Sequence, residues 1–294
     1  MSDESMGHSA PASLLDGKAV AARIRAEVAI DAGAFTEEHG RRPGLATLLV
    51  GDDSASATYI RMKHRACAEV GIESVERTLP ASATQDEVLA VVRELVADDS
   101  VDGVLVQFPL PKGLDPESVI LAVPPDKDVD GYHPQNIGAI ASGLNGVASC
   151  TPAGVMRLLA AYDVQLSGAE AVVVGRSRTV GLPMALLLLN EDATVTVTHH
   201  ATRDLAKATR EADVLVVAAG VPGLVTAEMV KPGAVVVDVG TTYTEAGLRG
   251  DVAPGVDAVA RLLSPVPGGV GPMTIASLLR STVDLARARV RAKN

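Results

Sequence analysis

The stretch Ala171-Val-Val-Val-Gly-Arg-Ser-Arg-Thr-Val-Gly181 joins a short apolar strand to an apolar helix that begins near Leu182-Pro183. A glycine-bearing turn between strand and helix lets backbone N–H groups and the helix N-terminus contact a pyrophosphate. The spacing departs from G-x-G-x-x-G, because Ser177 stands at the second glycine position and Gly181 comes one residue late. The turn alone is therefore a weak match, but it predicts the strand-turn-helix unit that opens a dinucleotide-binding domain.

The turn lies in a region where apolar runs alternate with stretches long enough to hold helices. β-rich apolar runs cover 171–174, 194–198, 214–218 and 234–239. Strands at this spacing are joined by crossover helices and pair in parallel. Upstream, Thr151-Pro152 has the pattern of an N-cap followed by a first-turn proline, and predicts a helix to about 161. The region 149–272 is therefore predicted to be a Rossmann-like, doubly wound α/β domain.

A separate α/β unit is predicted ahead of it. Val20, Ile24 and Val28 recur every four residues, which indicates an amphipathic first helix. The spacing Thr84-x-x-Glu87 is that of a capping box and predicts a helix to about 97. The expected strands are 45–50, 74–79 and 101–107, and the other expected helices are 56–70, a short one from Asp115-Pro116, and 275–290. The stretch of small residues 142–149 is the expected boundary between the two domains.

Composition excludes several classes of protein. Of 294 residues, 47% are hydrophobic and only 2% aromatic, so the cores must consist mainly of aliphatic side chains, as in parallel sheets covered by helices. The formal net charge of −10 argues against nucleic acid or an anionic membrane surface as the main partner. Cys67 and Cys150 lie far apart without neighbouring metal ligands, so we expect buried small side chains rather than a disulfide or zinc site. No apolar run reaches about 18 residues and 1–13 is predicted to be a flexible leader, which favours a cytoplasmic protein without a membrane span.

The residues around the glycine turn also indicate which dinucleotide is bound. NAD-binding enzymes of this plan place an acidic residue about 20 positions after the turn, where it binds the ribose hydroxyls. Here the second strand ends in His199-His200, and Arg176 lies in the turn. A cation and no carboxylate would then face a 2′-phosphate, so NADP is favoured over NAD. The alternative is an exposed arginine and two solvated loop histidines.

Polar side chains in the first unit point to chemistry at the ends of its strands. Tyr59 and Lys63 are four residues apart on a predicted helix and therefore project from one face. Gln107 ends an apolar strand, where an amide needs a partner. Both positions follow the carboxyl ends of strands, where α/β sheets form ligand crevices. The alternative for Tyr59 and Lys63 is surface packing of a lysine stem beside a ring.

Two further stretches are candidates for ligand contact. Asp126-Lys-Asp-Val-Asp-Gly131 contains three acids in five residues, for which a turn or substrate hydrogen bonding is favoured over a metal site. Pro265-Val-Pro-Gly-Gly-Val-Gly-Pro-Met-Thr274 contains three prolines and three glycines just before an apolar helical pattern. Proline stiffens a backbone and glycine leaves it bare, so a ligand can lie against this segment. The alternative is a rigid inter-domain corner.

Five of these motifs resemble, in order and spacing, those of the bifunctional methylenetetrahydrofolate dehydrogenase/cyclohydrolases, over roughly 15–287. They are Tyr59-x-x-x-Lys63, Val106-Gln-Phe-Pro-Leu-Pro111, Lys127-Asp-Val-Asp-Gly131, Gly175-Arg-Ser-x-x-Val-Gly181 and Pro265-Val-Pro-Gly-Gly-Val-Gly-Pro-Met-Thr274. The resemblance implies a folate-binding catalytic domain over 14–148, completed by a C-terminal helix 273–292, and an NADP-binding domain over 149–272, with a cleft between them. It also implies a homodimer, a polyglutamylated folate substrate, and a role in one-carbon metabolism and purine biosynthesis.

The resemblance assigns a role to each candidate residue. It implies that Tyr59 stacks on the folate, Lys63 is the catalytic lysine, Gln107 holds and tunes it, and Asp130 binds the pterin ring. The implied folate wall is Pro267, Gly268, Gly269 and Gly271. The implied cofactor-binding residues are Gly175, Arg176, Ser177, Val180, Gly181, His199, His200 and Thr241. No metal is expected.

The activity implied is oxidation of 5,10-methylenetetrahydrofolate to 5,10-methenyltetrahydrofolate with NADP⁺, followed by hydrolysis to 10-formyltetrahydrofolate. The sequence departs from the family pattern at three points. Thr198-His199-His200 replaces Cys-His-Ser, Gly250-Asp-Val-Ala253 replaces Gly-Asp-Val-Asp, and Ser149 replaces a proline. Because the serine usually helps to bind the 2′-phosphate, His200 either substitutes for it or weakens NADP binding.

Two other functions remain open at the level of sequence. One is a different NADP-dependent oxidoreductase of the same two-domain plan, such as an amino-acid or shikimate dehydrogenase, which would share the Gly175 turn without needing the proline-glycine wall. The other is a non-catalytic dinucleotide sensor. A sensor would not need Lys63 opposed by Gln107.

Overall fold

The computed structural model describes residues 12–245 and 247–293, which form two compact units. Residues 19–154 and 274–293 form the three-stranded unit, named for its sheet, and residues 12–18 and 155–273 form the six-stranded unit. Among the described residues no helix is long and apolar enough to span a bilayer.

In chain order the strands are β1 (Ser13–Leu14), β2 (Gly44–Val50), β3 (Glu73–Leu79), β4 (Gly103–Val106), β5 (Glu170–Val174), β6 (Thr194–Thr198), β7 (Val214–Val217), β8 (Val235–Asp238), β9 (Thr242–Thr244), β10 (Gly247–Arg249) and β11 (Leu262–Leu263). The α-helices are α1 (Gly17–His39), α2 (Ser54–Glu69), α3 (Gln85–Ala97), α4 (Pro116–Ala122), α5 (Pro134–Ala141), α6 (Cys150–Ala161), α7 (Gly181–Asn190), α8 (Leu205–Arg210) and α9 (Val270–Lys293).

The three-stranded unit is built on a parallel sheet in the order β3-β2-β4. The central strand β2 is buried over its whole length, which explains its unbroken apolar run. The predicted capping box is confirmed, since Thr84 accepts from the Glu87 N–H and the Glu87 carboxylate accepts from the Thr84 N–H. Asp115 caps α4, with Pro116 at its first position, also as predicted.

The C-terminal helix contributes to the core of the three-stranded unit. Leu279 and Val283 of α9 belong to the same buried cluster as Val28 of α1 and Cys67 of α2. At the edge of this cluster, the Asp31 carboxylate accepts hydrogen bonds from Arg280 at 2.5 Å and Arg287 at 2.8 Å. The last helix in the sequence is therefore fastened to the first. Cys67 and Cys150 are buried free thiols, as predicted.

The six-stranded unit contains a parallel sheet in the order β1-β11-β8-β7-β5-β6. The predicted doubly wound domain is confirmed by this strand order, in which the chain runs outward from β5 in both directions. Every residue of β7 and β8 is buried, which explains their continuous apolar runs. Asp238, the last residue of β8, is the polar exception. The antiparallel hairpin β9–β10 and the short helix α5 were not predicted.

Three boundaries differ from the sequence prediction. Residues 1–11 of the expected leader lie outside the described residues, but Ala12 and Ser13 are hydrogen-bonded to 257 and 261, and β1 joins the six-stranded sheet rather than the first domain. The backbone pairing of two residues is too short to leave a sequence pattern.

The N-termini of α6 and α9 also lie earlier than predicted. Thr151 was expected as an N-cap, whereas α6 begins at Cys150. The helix expected from 273 or 275 begins at Val270, so Pro272 lies inside its first turn. A proline is tolerated there because the first N–H groups of a helix have no partner within it.

Candidate functional site

Lys63 and Gln107 are brought together in the three-stranded unit. Helix α2 begins just after β2, with the Asp53 carboxylate accepting from the Ser56 N–H at 2.7 Å as its N-cap. Two and a half turns into this helix, the Lys63 Nζ donates to Gln107 Oε1 at 3.1 Å. Tyr59 lies one turn earlier on the helix and is half-buried, as Lys63 is. The predicted proximity of Lys63 and Gln107 is confirmed.

The orientation of the Gln107 amide follows from its other hydrogen bonds. Its backbone N–H continues the sheet by donating to the Leu48 carbonyl at 2.9 Å. Its side-chain Nε2 donates to the Phe108 carbonyl at 2.9 Å. Because the amide nitrogen is used there, the oxygen must point to Lys63, where it can accept a hydrogen bond but never donate one. Lysine and glutamine thus form a fixed donor–acceptor pair.

His64, which the sequence did not single out, fastens α2 to the sheet beside Lys63. Its Nε2 lies 2.8 Å from Thr47 Oγ1 on β2, and its Nδ1 lies 2.7 Å from Ser74 Oγ on β3. Burial lowers the pKa of His64, although Glu76 opposes this and Lys63 adds to it. Together with the Lys63–Gln107 bond, these contacts tie one helix to all three strands. The sequence signal that could have identified His64 was its position directly after Lys63 on a predicted helix.

The three acids of Asp126–Gly131 have different surroundings. Burial raises the pKa of Asp130 to about 6, while the charge of Lys63 works in the opposite direction. Asp128 is buried and accepts from the His133 N–H at 2.8 Å and from Asn136 Nδ2 at 2.9 Å, so it holds the start of α5. Asp126 pairs with Arg289 at 3.0 Å. Asp130 is therefore the best placed of the three to face a ligand. Among the described residues no three His, Cys, Asp or Glu side chains are grouped for a metal ion.

In the six-stranded unit, the turn after β5 has no room for a side chain at its two glycines, Gly175 and Gly181. Gly175 has φ of +116°, and a Cβ added there would lie 2.1 Å from the Ala218 carbonyl oxygen. A Cβ added at Gly181 would lie 2.2 Å from the Gly175 carbonyl oxygen. Ser177 Oγ accepts from the N–H groups of Val180 at 3.1 Å and Gly181 at 3.2 Å, and so shapes the turn in place of the missing glycine.

The predicted 2′-phosphate residues differ in their own contacts. Arg176 is exposed in the turn, and His200 is exposed at the end of β6. His199 is engaged locally, because its Nδ1 accepts from the Ala201 N–H at 3.2 Å and its backbone N–H donates to Thr202 Oγ1 at 2.9 Å. Its other ring nitrogen then carries the proton. His199 therefore shapes the loop, whereas the side chains of Arg176 and His200 are exposed. Thr241 is exposed after the end of β8.

The proline-glycine segment is closely packed against the start of α1. The Val266–Pro267 peptide is cis, and Gly268 has φ of +111°. The Gly269 N–H donates to the Pro265 carbonyl at 2.8 Å, and a Cβ added at Gly17 would lie 1.8 Å from the Gly269 carbonyl oxygen. By contrast, no described atom lies within 4 Å of a Cβ added at Gly271.

Two buried aspartates were not predicted from the sequence as candidate site residues. Asp238 ends β8 and Asp251 follows β10, and both accept backbone N–H groups from surrounding loops. The signal in the sequence was a carboxylate ending the apolar run Val235-Val-Val-Asp238, the same kind of signal that identified Gln107.

Comparison with known proteins finds two domains of one family in the chain. Residues 15–130 match the model of the tetrahydrofolate dehydrogenase/cyclohydrolase catalytic domain, and 149–290 match the NAD(P)-binding domain of the same family. A bifunctional protein FolD 2 of Frankia alni is 56% identical over 276 residues, which cover 94% of this chain and 96% of the relative.

Solved structures give the same result. The bifunctional FolD enzyme of Campylobacter jejuni, a methylenetetrahydrofolate dehydrogenase/cyclohydrolase, superposes with a TM-score of 0.92 at 47% identity, covering 94% of this chain and 99% of that one. The Trypanosoma brucei dehydrogenase-cyclohydrolase, solved with NADP cofactor and inhibitor, has a TM-score of 0.91 at 39% identity, covering 96% of this chain and 100% of that one. The chain belongs to the tetrahydrofolate dehydrogenase/cyclohydrolase family.

Proposed function

We propose that this protein oxidises 5,10-methylenetetrahydrofolate to 5,10-methenyltetrahydrofolate with NADP⁺ and then hydrolyses the product to 10-formyltetrahydrofolate. The observation that carries the proposal is the hydrogen bond of 3.1 Å between Lys63 and Gln107. The charge of Lys63 also acts on the pKa of Asp130. All three residues lie in the region that matches the family's catalytic domain. A dinucleotide sensor has no use for such a pair. Other dehydrogenases of the same plan have no use for the segment Pro265 to Thr274.

The glycine turn after β5 fits a dinucleotide. Gly175 and Gly181 leave no room for side chains, so backbone N–H groups and the start of α7 can lie directly against a pyrophosphate. When bound, NADP⁺ supplies a hydride acceptor for the methylene carbon of the folate. The protein contributes alignment, because hydride transfer depends on holding two reactants in one geometry.

The exposed nitrogen-bearing side chains near this turn support NADP rather than NAD. Arg176 and His200 are exposed at the ends of neighbouring strands, and β6 ends without a carboxylate. Arginine is permanently charged and forms paired hydrogen bonds to phosphate. Arg176 is the proposed main contact of the 2′-phosphate, with His200 as the second.

In the second step, water attacks the positively charged methenyl carbon. As the formyl C=O forms on the water oxygen, the bond between N5 and this carbon breaks, one proton of the water passes to N5 and the other is released to solvent. Lys63 is the proposed group that guides proton transfer in this step, and Gln107 restrains its Nζ so that it stays on one side of the site. Asp130 is the proposed partner of the pterin N–H groups, and Tyr59 the ring on which the folate stacks. Pro267, Gly268, Gly269 and Gly271 are the proposed wall. Positioning of this kind is what general acid–base catalysis requires.

Several finer features belong to the same proposal. The protein is proposed to act as a homodimer in the cytoplasm, on polyglutamylated folate, and to supply one-carbon units for purine biosynthesis. The similarity to bifunctional enzymes over 94% of the chain supports the activity. The homodimer is checked by light scattering coupled to size exclusion, in which a mass near 60 kDa is expected for two 30.2 kDa chains.

The activity is tested by absorbance with methylenetetrahydrofolate and either NADP⁺ or NAD⁺. Methenyl formation followed by its decay is expected with NADP⁺. Formation without decay would remove the cyclohydrolase half of the proposal. Absence of formation would remove the dehydrogenase half, and the hydrolysis is then tested with methenyltetrahydrofolate added directly.

A further inference from the structure

Two buried aspartates lie at the edge of the six-stranded sheet from which the dinucleotide turn projects. Asp238 is 4% exposed and Asp251 is 0% exposed. Asp238 Oδ1 accepts from the N–H groups of Gly240 and Asp251, each at 2.9 Å, and its Oδ2 accepts from the Val252 N–H at 3.0 Å. The Asp238 carboxylate therefore holds the loop after β8 and the segment after β10 together.

Asp251 in turn binds the loop after β7. Its Oδ2 accepts from the N–H groups of Ala219 and Gly220, each at 2.7 Å. These are short bonds of the kind that a charged acceptor makes. Its Oδ1 is buried and has no hydrogen-bond partner among the described residues. A Cβ added at Gly240 would lie 2.4 Å from this oxygen, so the backbone after β8 is packed directly against it.

The loop held by Asp251 supports the dinucleotide turn. The Ala218 carbonyl oxygen is the atom that lies 2.1 Å from a Cβ added at Gly175, so residue 218 and the turn touch backbone to backbone. The Ala218 N–H also donates to the Val174 carbonyl at 2.7 Å. Asp251 therefore fixes Ala219 and Gly220, the adjoining Ala218 packs against Gly175, and Gly175 begins the turn that faces the pyrophosphate.

We infer that Asp251 is a positioning residue for NADP: it holds the loop 218–220 against the dinucleotide turn, so that the binding surface is formed before the cofactor arrives. The inference rests on the proposed function for the identity of the ligand. Its physical basis is that loops already ordered in the free protein need not be ordered on binding, which reduces the entropy cost of association. Asp251 touches neither the substrate nor the reacting atoms in this scheme.

The supporting group is Asp238. Its three accepted N–H bonds include that of Asp251 itself, so the two carboxylates form one chain of contacts from β8 through Asp251 to the β7 loop. Burial raises the pKa of Asp238 to about 6, and the charge of Asp251 acts in the same direction. A pair of buried carboxylates is costly. The five N–H groups that donate to these two carboxylates come from three separate loops. The pair therefore holds the three loops together.

The test compares Asp251→Asn with Asp213→Asn by titration calorimetry with NADP⁺. The substitution at 251 keeps the size of the side chain but replaces a charged acceptor by a neutral amide, whose NH₂ group would face either Gly240 or the two N–H groups. Asp213 is the matched control, because it accepts from the Glu170 N–H at 3.0 Å and from Lys231 at 2.6 Å in the same unit, at the start of β7.

We expect the NADP⁺ dissociation constant to rise roughly fivefold to fiftyfold in Asp251→Asn, since two charge-assisted bonds are weakened. It should stay unchanged in Asp213→Asn, even if that variant melts earlier. Hydrolysis of methenyltetrahydrofolate, which consumes no dinucleotide, should stay near the wild-type rate in both. A loss of hydrolysis equal to the loss of NADP⁺ affinity would indicate general damage to the protein and overturn the inference.

The outcomes separate this inference from the proposed function. If the wild-type protein binds no NADP⁺, the proposed function fails. If the wild type binds and a folded Asp251→Asn binds equally well, the inference alone fails. If Asp251→Asn does not fold, amide hydrogen exchange of the wild type decides: Ala219 and Gly220 should exchange at least about 100-fold more slowly than an open loop. Unprotected exchange at these two amides would overturn the inference.

Discussion

At the scale of single residues, Lys63 is the side chain whose loss should affect chemistry most. Its hydrogen bond to Gln107 places the Lys63 Nζ in the candidate site, and its side chain is only half-buried. Lys63→Met should therefore abolish cyclohydrolase activity while the fold and NADP⁺ binding persist. The measurements are methenyl decay by absorbance, circular dichroism and calorimetry.

Arg65→Met is the matched control for this variant. Arg65 lies on the same helix, is exposed, and pairs with Glu69 at 3.0 Å. It should retain wild-type hydrolysis. Normal methenyl hydrolysis in Lys63→Met would disprove the role assigned to this lysine.

Asp130 should give folate binding a pH dependence near neutrality. Burial raises its pKa to about 6, so the group is a carboxylate above this pH and a neutral acid below it. The carboxylate can accept pterin N–H groups through both oxygens, whereas the protonated acid has lost part of that capacity. The Michaelis constant for methylenetetrahydrofolate should therefore rise as the pH falls through about 6. Asp130→Asn should bind weakly at all pH values and lack the inflection; an inflection that persists in this variant would assign it to another group.

Arg176 tests cofactor choice. A charge-assisted contact contributes roughly 1.5–3 kcal/mol, so Arg176→Ala should weaken NADP⁺ binding about tenfold to a hundredfold. NAD⁺ lacks the 2′-phosphate and should be affected little, which makes it the internal control. Dissociation constants for both dinucleotides decide the matter. Equal weakening of the two, or equal use of both by the wild type, would contradict the role given to this arginine.

At the scale of elements, the first turn of α9 offers a test of the folate wall. Gly271 lies in this helix with no described atom within 4 Å of an added Cβ, so its own surroundings do not demand glycine. Alanine in a helix is favoured over glycine by about 0.5–1 kcal/mol. Gly271→Ala should therefore melt no earlier than the wild type, yet raise the Michaelis constant for folate severalfold if the ligand lies against this position.

Gly33→Ala controls for the helix effect. Gly33 lies within α1 and also has no described atom within 4 Å of an added Cβ. It should stabilise the protein without changing folate kinetics. If Gly271→Ala leaves folate kinetics equally unchanged, the wall does not include this residue.

At the scale of the whole molecule, the two ends of the sequence are joined through Asp31. Hydrogen bonds from Arg280, which has the larger effect, and from Arg287 lower the pKa of this carboxyl. Folding therefore stabilises its ionised form. Asp31→Ala should reduce the free energy of unfolding by about 1–3 kcal/mol at pH 7, since two arginines of α9 lose their acceptor. Denaturant unfolding measures this.

The sign of the pH effect follows from the lowered pKa. The contribution of Asp31 is fully present above its unfolded pKa, near 3.8, and is lost as the pH falls through the folded value. The difference between wild type and Asp31→Ala should therefore shrink below about pH 4. Glu69→Ala, which removes an exposed partner of Arg65, should cost less than about 1 kcal/mol. A difference that stays constant down to about pH 2 would exclude Asp31 as its source.

The sequence by itself determined the repeated strand-helix plan, the strands β2 to β8, the capping of α3 and α4, and the position of Gln107 at the end of an apolar strand. These features depend on local signals: apolar periodicity, caps, and a polar residue at the end of an apolar strand. Such signals are contained in a few consecutive residues, so they can be read without knowing which segments meet in space.

Only the tertiary structure decided which distant segments join. Strand β1 has two residues and pairs with β11, nearly 250 positions later, so no local pattern could reveal it. The family resemblance implied that the C-terminal helix completes the first domain, and the structure supplies the physical reason, because Leu279 and Val283 of α9 find their apolar partners there. Asp251 became informative only when the two N–H groups it accepts were seen to belong to the loop beneath Gly175. The physical reason is the same in each case: burial and hydrogen bonding are satisfied by groups that are close in space, and the chain order does not record that proximity.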